Sequence, residues 1–359
     1  IKDNPYLYSN LASVLELLGQ SSKALEYFLE ADKIMPNNPN FYSAIGGALC
    51  KLDRFDESIR YIEKAIRINP NNSNYYFNLA LTYTAMQEHE KSIIFYEKSI
   101  EINPNFPQAH FNLSIAYLTV GNYERGWKEH EWRTYFIEDP NYTYVFKESS
   151  WKGENLNGQN LYIHSEQGLG DTIQFSRFLK DLKNINGKII FNTHPQLKEL
   201  MITVKGYDQL EADQISSVQK DTNNILLLSL PKVLNVSLSS IKNQEPYISV
   251  PSEYSDKWRN KFNNISDFKI GVAWEPKSIS STHNIRTVPL SNFFDLLKIP
   301  NVKLFSLQKG DTRQKLSQYP KTDRFVDLDN EITNFADTSA IIENMDLIIS
   351  IDTSVIHLA

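Results

Sequence analysis

Three prolines, Pro36, Pro70 and Pro104, are equally spaced, and a fixed period of about 34 residues limits what the chain can build more than any other feature. Other columns keep the period: the small residues Ala12, Gly46, Ala80 and Ser114, a second small column of Ala31, Ala65 and Ser99, and an aromatic column of Tyr27, Tyr61 and Phe95. Each unit reads as two amphipathic helices with a turn near Gly19, Asp53, Gln87 or Gly121. The proline ends the second helix because it lacks an N–H and clashes with the preceding turn. Small residues let paired helices approach, aromatic ones fill the remaining gap, and neighbouring units bury one continuous core. Four units are expected, over residues 3–36, 37–70, 71–104 and 105–138, the last degenerate and closing in the aromatic run around Trp127 and Trp132.

The period, the helix pair and the closing proline resemble the tetratricopeptide repeat (TPR), which implies an α superhelix over residues 1–138. One column bears on function: Asn10, Asn78 and Asn112 share a first-helix position, with Ala44 in the second unit. First helices line the concave surface of such a superhelix. The column resembles the asparagine ladder of TPR-bearing O-GlcNAc transferases, in which amides hold the backbone of an extended polypeptide. An amide offers donor and acceptor together and so reads backbone without reading sequence. The resemblance implies a polypeptide acceptor or a protein partner in the groove. The alternative is that these asparagines are polar residues on a hydrated helix face. Tyr6, Tyr8, Tyr42, Tyr75, Tyr76 and Phe111 read as packing, and Cys50 as a small buried hydrophobe rather than a nucleophile.

A chain of 359 residues is too long for one ordinary core, so two or three domains are expected. No stretch approaches the ~18 uninterrupted apolar residues of a membrane span. With a single cysteine, an internal disulfide framework and a cysteine zinc cluster are excluded, and the seven histidines show no HExxH spacing. A cytoplasmic protein without a metal or other cofactor is expected. The chain opens at Ile1 rather than Met, at a repeat junction, and further repeats are expected before it. Of the net charge of −6, positions 1–140 carry −5, from 13 Lys and Arg against 18 Asp and Glu. With no basic stripe, nucleic acid is not expected as a partner.

Beyond residue 140 the period stops, and a connector containing Trp151-Lys152-Gly153-Glu154 leads into alternating strand and helix patterns. The strand Leu161–His164 runs into Glu166-Gln167-Gly168-Leu169-Gly170-Asp171, and residues 172–182 then show helical periodicity. A strand, a glycine turn and a helix start form the usual ligand corner of a Rossmann unit. A dinucleotide fingerprint would want a third glycine near Phe175 and an acidic ribose partner, and neither is present.

The run from Glu166 to Phe175, following Trp151–Glu154, resembles the catalytic segment of bacterial TPR-linked glycosyltransferases related to the lipopolysaccharide heptosyltransferases. Later runs keep the order of those relatives: Ser229-Leu230-Pro231, Pro246-Tyr247, Ile270–Trp274, His283–Arg286 with Pro289-Leu290, Ser306–Gly310, Phe335–Thr338 and Ile351–Ala359. The resemblance implies a GT-B fold of two Rossmann-like domains. It places an acceptor-side lobe at 158–250 after a connector at 139–157, a linker at 251–267 and a nucleotide-sugar lobe at 268–359, truncated at its C-terminus. It further implies metal-independent, inverting hexosyl or heptosyl transfer from a nucleotide-diphosphate sugar.

By the same resemblance Asp171 is the general base, and Gly168 and Gly170 of the corner are donor-binding. Asp352, Thr353, Ser354 and His357 flank the diphosphate, Arg286 neutralises it, and Gln308 and Lys309 lie by the nucleoside. An aspartate beside a helical run is equally an N-cap, and a capped helix with a packed histidine is the plain reading of 352–357. Asp327-Leu328-Asp329 mimics a metal-binding DxD but reads as a loop.

Overall fold

The computed structural model describes residues 4–137, 150–182, 185–212, 222–241, 246–276 and 287–359. Contacts divide the chain into two compact units, the first made of the helical repeats with a short segment beginning at Asn235, the second of the α/β region.

Eight helices form the repeats: α1 (Pro5–Leu17), α2 (Ser21–Ile34), α3 (Pro39–Lys51), α4 (Phe55–Ile68), α5 (Ser73–Ala85), α6 (His89–Ile102), α7 (Pro107–Thr119) and α8 (Tyr123–His130). Their starts keep the period of the prolines, at Pro5, Pro39, Ser73 and Pro107 for the first helices and at Ser21, Phe55, His89 and Tyr123 for the second. The second helices end at the C-caps Met35, Asn69 and Asn103, each followed by the expected proline. Between the helices of each pair, Gly19, Asp53, Gln87 and Gly121 all take left-handed backbone, with φ of 72°, 58°, 61° and 80°. The structure adds a further column. Asn4, Asn38 and Asn72 cap α1, α3 and α5, their side chains accepting backbone N–H bonds from the first turn, until Phe106 breaks the series.

Both small columns are buried. At Gly46 the approach is closest, since a Cβ there would lie 2.4 Å from Ile62 Cγ1. The aromatic column fills the gap between the paired helices of each unit. Tyr27, Tyr61 and Phe95 are only half-buried and pair with rings of first helices, Tyr8, Tyr42 and Tyr83. The next residue along, at Phe28, Ile62 and Tyr96, is the one fully inside the core. A helix advances about 100° per residue, so one step separates the seam from the centre.

The α/β unit holds two four-stranded sheets, each parallel throughout. The first contains β1 (Leu161–His164), β2 (Ile189–Asn192), β3 (Gln209–Glu211) and β4 (Asn223–Leu226), in the order β3-β2-β1-β4. The second contains β5 (Phe268–Ala273), β6 (Val302–Ser306), β7 (Phe325–Asp327) and β8 (Leu347–Ser350), in the order β7-β6-β5-β8. Strand order is therefore the same in both sheets, with its reversal between the first and last strand of each. Helices α9 (Leu169–Phe175), α10 (Ser252–Phe262), α11 (Leu290–Leu296), α12 (Phe335–Glu343) and α13 (Ser354–Leu358) accompany them.

The residues expected to act as a connector in part belong to the first sheet's edge. Ser150 bridges to Asn224 in parallel, and the indole of buried Trp151 donates to the Glu154 carbonyl at 2.8 Å. In the second lobe, fully buried Asp337 pins α10 to α12. It accepts from Lys257 Nζ at 2.6 Å, Trp258 Nε1 at 2.7 Å, and the amide and hydroxyl of Thr333 at 2.8 and 2.6 Å. Burial alone would raise its carboxyl, but these donors together hold it below the usual carboxylate range.

Two outcomes follow for the repeats. Left-handed backbone costs a residue bearing a Cβ about 1 kcal/mol, so Gln87→Gly should stabilise the repeat unit by about 0.5–1 kcal/mol, read from the urea midpoint of the helical signal. Burial, aided by Arg133, pushes the His130 imidazole down to about 3, whereas the unfolded chain titrates near 6.5. Between those two values only the unfolded state takes up the proton. His130 therefore leaves stability intact above about pH 6.5 and removes up to about 1.4 kcal/mol per unit as pH falls toward 3. His130→Phe should flatten that slope relative to the parent in unfolding curves between pH 7 and 4.5.

Candidate active site

The C-terminal edge of the first sheet carries the corner singled out by sequence. β1 ends at His164, whose Nε2 meets Asn224 Oδ1 at 2.9 Å on the neighbouring strand. Burial keeps this imidazole below its ordinary range. Glu166, also buried, accepts the Leu228 N–H through Oε1 at 3.3 Å and so ties the corner to the end of β4. The chain then turns sharply. The left-handed residue is Gln167, with φ of 58°, while Gly168 is extended at φ −87° and ψ 163°. The glycine at 168 serves a different need: a Cβ there would stand 3.0 Å from the Asp171 carboxylate.

Asp171 sits in the first turn of α9, three residues past the N-cap position at Gly168, and its Oδ2 accepts the Gly168 N–H at 3.0 Å. It caps the helix from inside rather than from the residue preceding it. This is the acidic half of a capping box. The bond engages one carboxylate oxygen, and the side chain is half-buried at the corner's edge. The same carboxylate acts electrostatically on His194, which follows the end of β2 and whose imidazole is lowered chiefly by burial.

At Gly170 the two lobes are in direct contact. A Cβ on Gly170 would lie 2.7 Å from His357 Cδ2, 3.4 Å from His357 Nε2 and 3.4 Å from Ser354 Cα. Helix α9 of the first lobe therefore packs directly on α13 of the second. Around α13 the backbone of Thr353 is extended, Ser350 Oγ and Thr353 Oγ1 are 3.3 Å apart, and the exposed Asp352 carboxylate lies 3.8 Å from His357 Nε2. Gly168, Gly170, Asp171, Asp352, Thr353, Ser354 and His357 thus share one region where the C-terminal ends of two parallel sheets come together.

Gln308 and Lys309 are held inside their own lobe. Gln308 is buried, its Oε1 accepts the backbone N–H groups of Trp274 and Glu275 at 3.1 Å each, and its Nε2 donates to the Glu275 carbonyl at 2.8 Å. This amide locks the turn after β5, beside which Lys315 pairs with buried Glu275 at 2.6 Å. Lys309 Nζ donates to the carbonyls of Asp329 and Ile332 at 2.7 and 2.9 Å and pairs with the Asp329 carboxylate at 3.0 Å. Its charge is thereby balanced within the lobe. Asp327 and Asp329 serve as these internal counter-ions, since Arg313 contacts both. Burial opposes ionisation of Asp329, yet Lys309 and Arg313 hold its carboxyl below the usual range. Arg286 lies outside the described residues. Among the described residues no group of three or more His, Cys, Asp or Glu is placed to hold a metal ion.

The asparagine column lies on α1, α5 and α7 as expected. Asn10 is exposed, Asn112 half-buried, and Asn78 donates through Nδ2 to Ser43 Oγ of the preceding unit at 2.9 Å. That bond uses part of the Asn78 amide within the stack.

Family models bear on the helical half. Tetratricopeptide-repeat models match residues 5–38, 39–105 and 95–128. Residues 5–128 are tetratricopeptide repeats. Among solved structures, the TPR region is similar to a crystal structure of MamA, at 26% identity over 36% of this chain and 76% of that one, with a TM-score of 0.33. It is similar also to TTC0263, a thermophilic TPR protein of Thermus thermophilus, at 17% identity over 38% and 77%, with a TM-score of 0.36. A third is the first TPR of Spaghetti (RPAP3) bound to an HSP90 peptide, at 18% over 33% and 95%, with a TM-score of 0.31. No curated protein matches the chain. Among the described residues no helix is long and apolar enough to cross a membrane.

Removing the Gln308 amide would strand two buried backbone N–H groups. Gln308→Ala should therefore destabilise the α/β unit by about 2–3 kcal/mol, whereas the exposed end of Lys309 makes Lys309→Ala cost less than about 1 kcal/mol. Thermal melts of the two variants, followed by tryptophan fluorescence, check the ordering.

Proposed function

We propose that the α/β unit is a nucleotide-sugar-dependent glycosyltransferase and that the TPR region presents a polypeptide to it or recruits a protein partner. The observation that carries this reading is the packing of the Gly168–Asp171 corner on α13, which sets a carboxylate of one lobe at the strand ends of the other. Open parallel sheets bind nucleotides at the point where strand order reverses, outside the C-terminal strand ends. In the second lobe that point lies between β5 and β8, flanked by Trp274 and Glu275 on one side and by Ser350 to Ser354 on the other. A nucleotide-diphosphate sugar held there brings its anomeric carbon toward Asp171.

In this mechanism the acceptor hydroxyl gives its proton to Asp171 as its oxygen attacks the anomeric carbon. The bond from that carbon to the diphosphate oxygen breaks, the diphosphate leaves with the electron pair, and configuration inverts. His357 and the hydroxyls of Thr353 and Ser354 are the groups of the second lobe offered to the diphosphate, and the positive charge implied by resemblance is Arg286. Asn10 and Asn112 are the amides offered to an extended polypeptide.

A second reading is favoured by the internal engagement of Lys309 and Gln308, which leaves fewer groups for a nucleotide. In it the chain is a TPR adaptor with an inactive transferase lobe.

One experiment separates the two. Asparagine keeps an oxygen to accept the Gly168 N–H but cannot take a proton, so Asp171→Asn should melt within about 0.5 kcal/mol of the parent while turnover of a nucleotide sugar falls at least ~100-fold. Asp171→Ala should lose both turnover and the cap, at about 1 kcal/mol. Turnover unchanged by Asp171→Asn would remove the base assignment, and no turnover or nucleotide binding by the parent would leave the adaptor.

A further inference from the structure

Of the two cations singled out in the second lobe, Arg286 lies outside the described residues and Lys309 is occupied within its own lobe. A lysine ammonium has three N–H donors, and Lys309 directs its own to the Asp329 and Ile332 carbonyls and to the Asp329 carboxylate. Lys315 is placed differently. It stands in the 3₁₀ segment Asp311–Gln318, beyond β6, yet its Nζ reaches the end of β5, where it meets the two carboxylate oxygens of Glu275 at 2.9 and 2.6 Å. Those are its only hydrogen-bond contacts among the described residues, which leaves one donor over.

The pair is lopsided. The Glu275 side chain is 7% exposed and that of Lys315 is 52% exposed, so the carboxylate anchors from inside while the ammonium faces out. Stability alone gives little reason for such a pair, because burying a carboxylate is costly and a half-exposed lysine is screened by solvent. Its place is specific. β5 and β8 run in register with Ala273 beside Ser350, and the Ile351 N–H extends the ladder to the Ala273 carbonyl at 3.1 Å. Continuing that register sets Glu275 level with Asp352, where strand order reverses and the chain turns into α13. Gln308 holds the backbone of Glu275 from both sides, accepting its N–H and donating to its carbonyl.

We propose that Lys315, anchored by Glu275, is a phosphate-binding cation of the nucleotide site and donates its remaining N–H to a diphosphate oxygen. The proposal rests on the nucleotide-sugar reading above. A lysine binds phosphate as a point charge through a charge-assisted hydrogen bond, and the carboxylate beneath it fixes where that charge stands while cancelling part of it. Glutamine at 275 keeps an oxygen to accept from the ammonium but removes the cancelling charge. Loss of the carboxylate charge and loss of the ammonium therefore act on a diphosphate in opposite directions, whereas two halves of a merely structural ion pair would fail alike.

The test is calorimetric titration of the full chain with UDP, ADP, GDP and CDP and with the four matching nucleosides. For whichever diphosphate the parent binds, Lys315→Met should weaken binding about ten-fold or more, Glu275→Gln should tighten it about three-fold, and affinity for the nucleoside should stay within about two-fold. Lys315→Met leaves a buried carboxylate unpaired and could fold poorly, so the double variant Glu275→Gln with Lys315→Met, which removes both charges, should bind the diphosphate as weakly as Lys315→Met. Parental affinity in the double variant, or weakening by Glu275→Gln, would overturn the role of Lys315 while leaving the nucleotide site in place. A parent that binds none of the diphosphates would overturn the nucleotide-sugar reading itself, and this inference with it.

Discussion

A side chain on Gly46 would run into Ile62, and one on Gly170 into His357. At each, the missing Cβ lets one helix lie against another closely enough for its neighbours to be excluded from water. In the repeats a small residue recurs at that place in every unit, so the core is continuous and each unit depends on the next. In the α/β unit the approach at Gly170 is between lobes, α9 against α13. Asp171, one residue beyond Gly170, accepts the Gly168 N–H at the start of its own helix.

The repeat half is legible in the sequence because its constraints are periodic. Proline positions, the turn residues from Gly19 to Gly121 and the small columns all reappear as helix ends, left-handed turns and buried contacts. The capping column of Asn4, Asn38 and Asn72 is far less legible. Asparagine is so ordinary near helix starts, and Asn10 and Asn78 keep the same period, that spacing alone does not mark these three as caps. The aromatic column reads as filling the gap between paired helices, where its rings do lie, but sequence spacing does not say that the residue following each is the more deeply buried.

In the α/β half, the alternation of strand and helix patterns points to parallel sheets, and the corner after β1 stands where it is expected. Side-chain roles are harder to read. Lys309 and Gln308 sit just beyond β6, yet their partners, Asp329 and the backbone of Trp274 and Glu275, lie far away in sequence. A cation or amide chosen for a ligand and one chosen for a fold look alike until such long-range partners are known. The DxD-like pair at Asp327 and Asp329 shows the converse, a metal-like pattern whose charges are met by Lys309 and Arg313.

In the proposed function the diphosphate and sugar of a nucleotide sugar lie at the strand ends beside the Gly168–Asp171 corner and α13. Hydrogen–deuterium exchange with and without a saturating nucleoside diphosphate tests it most directly, because each lobe reports separately. Exchange should slow in two places at once, residues 166–172 and 350–358, with little change in the TPR helices. Protection confined to the repeats, or spread over strands remote from both segments, would contradict it.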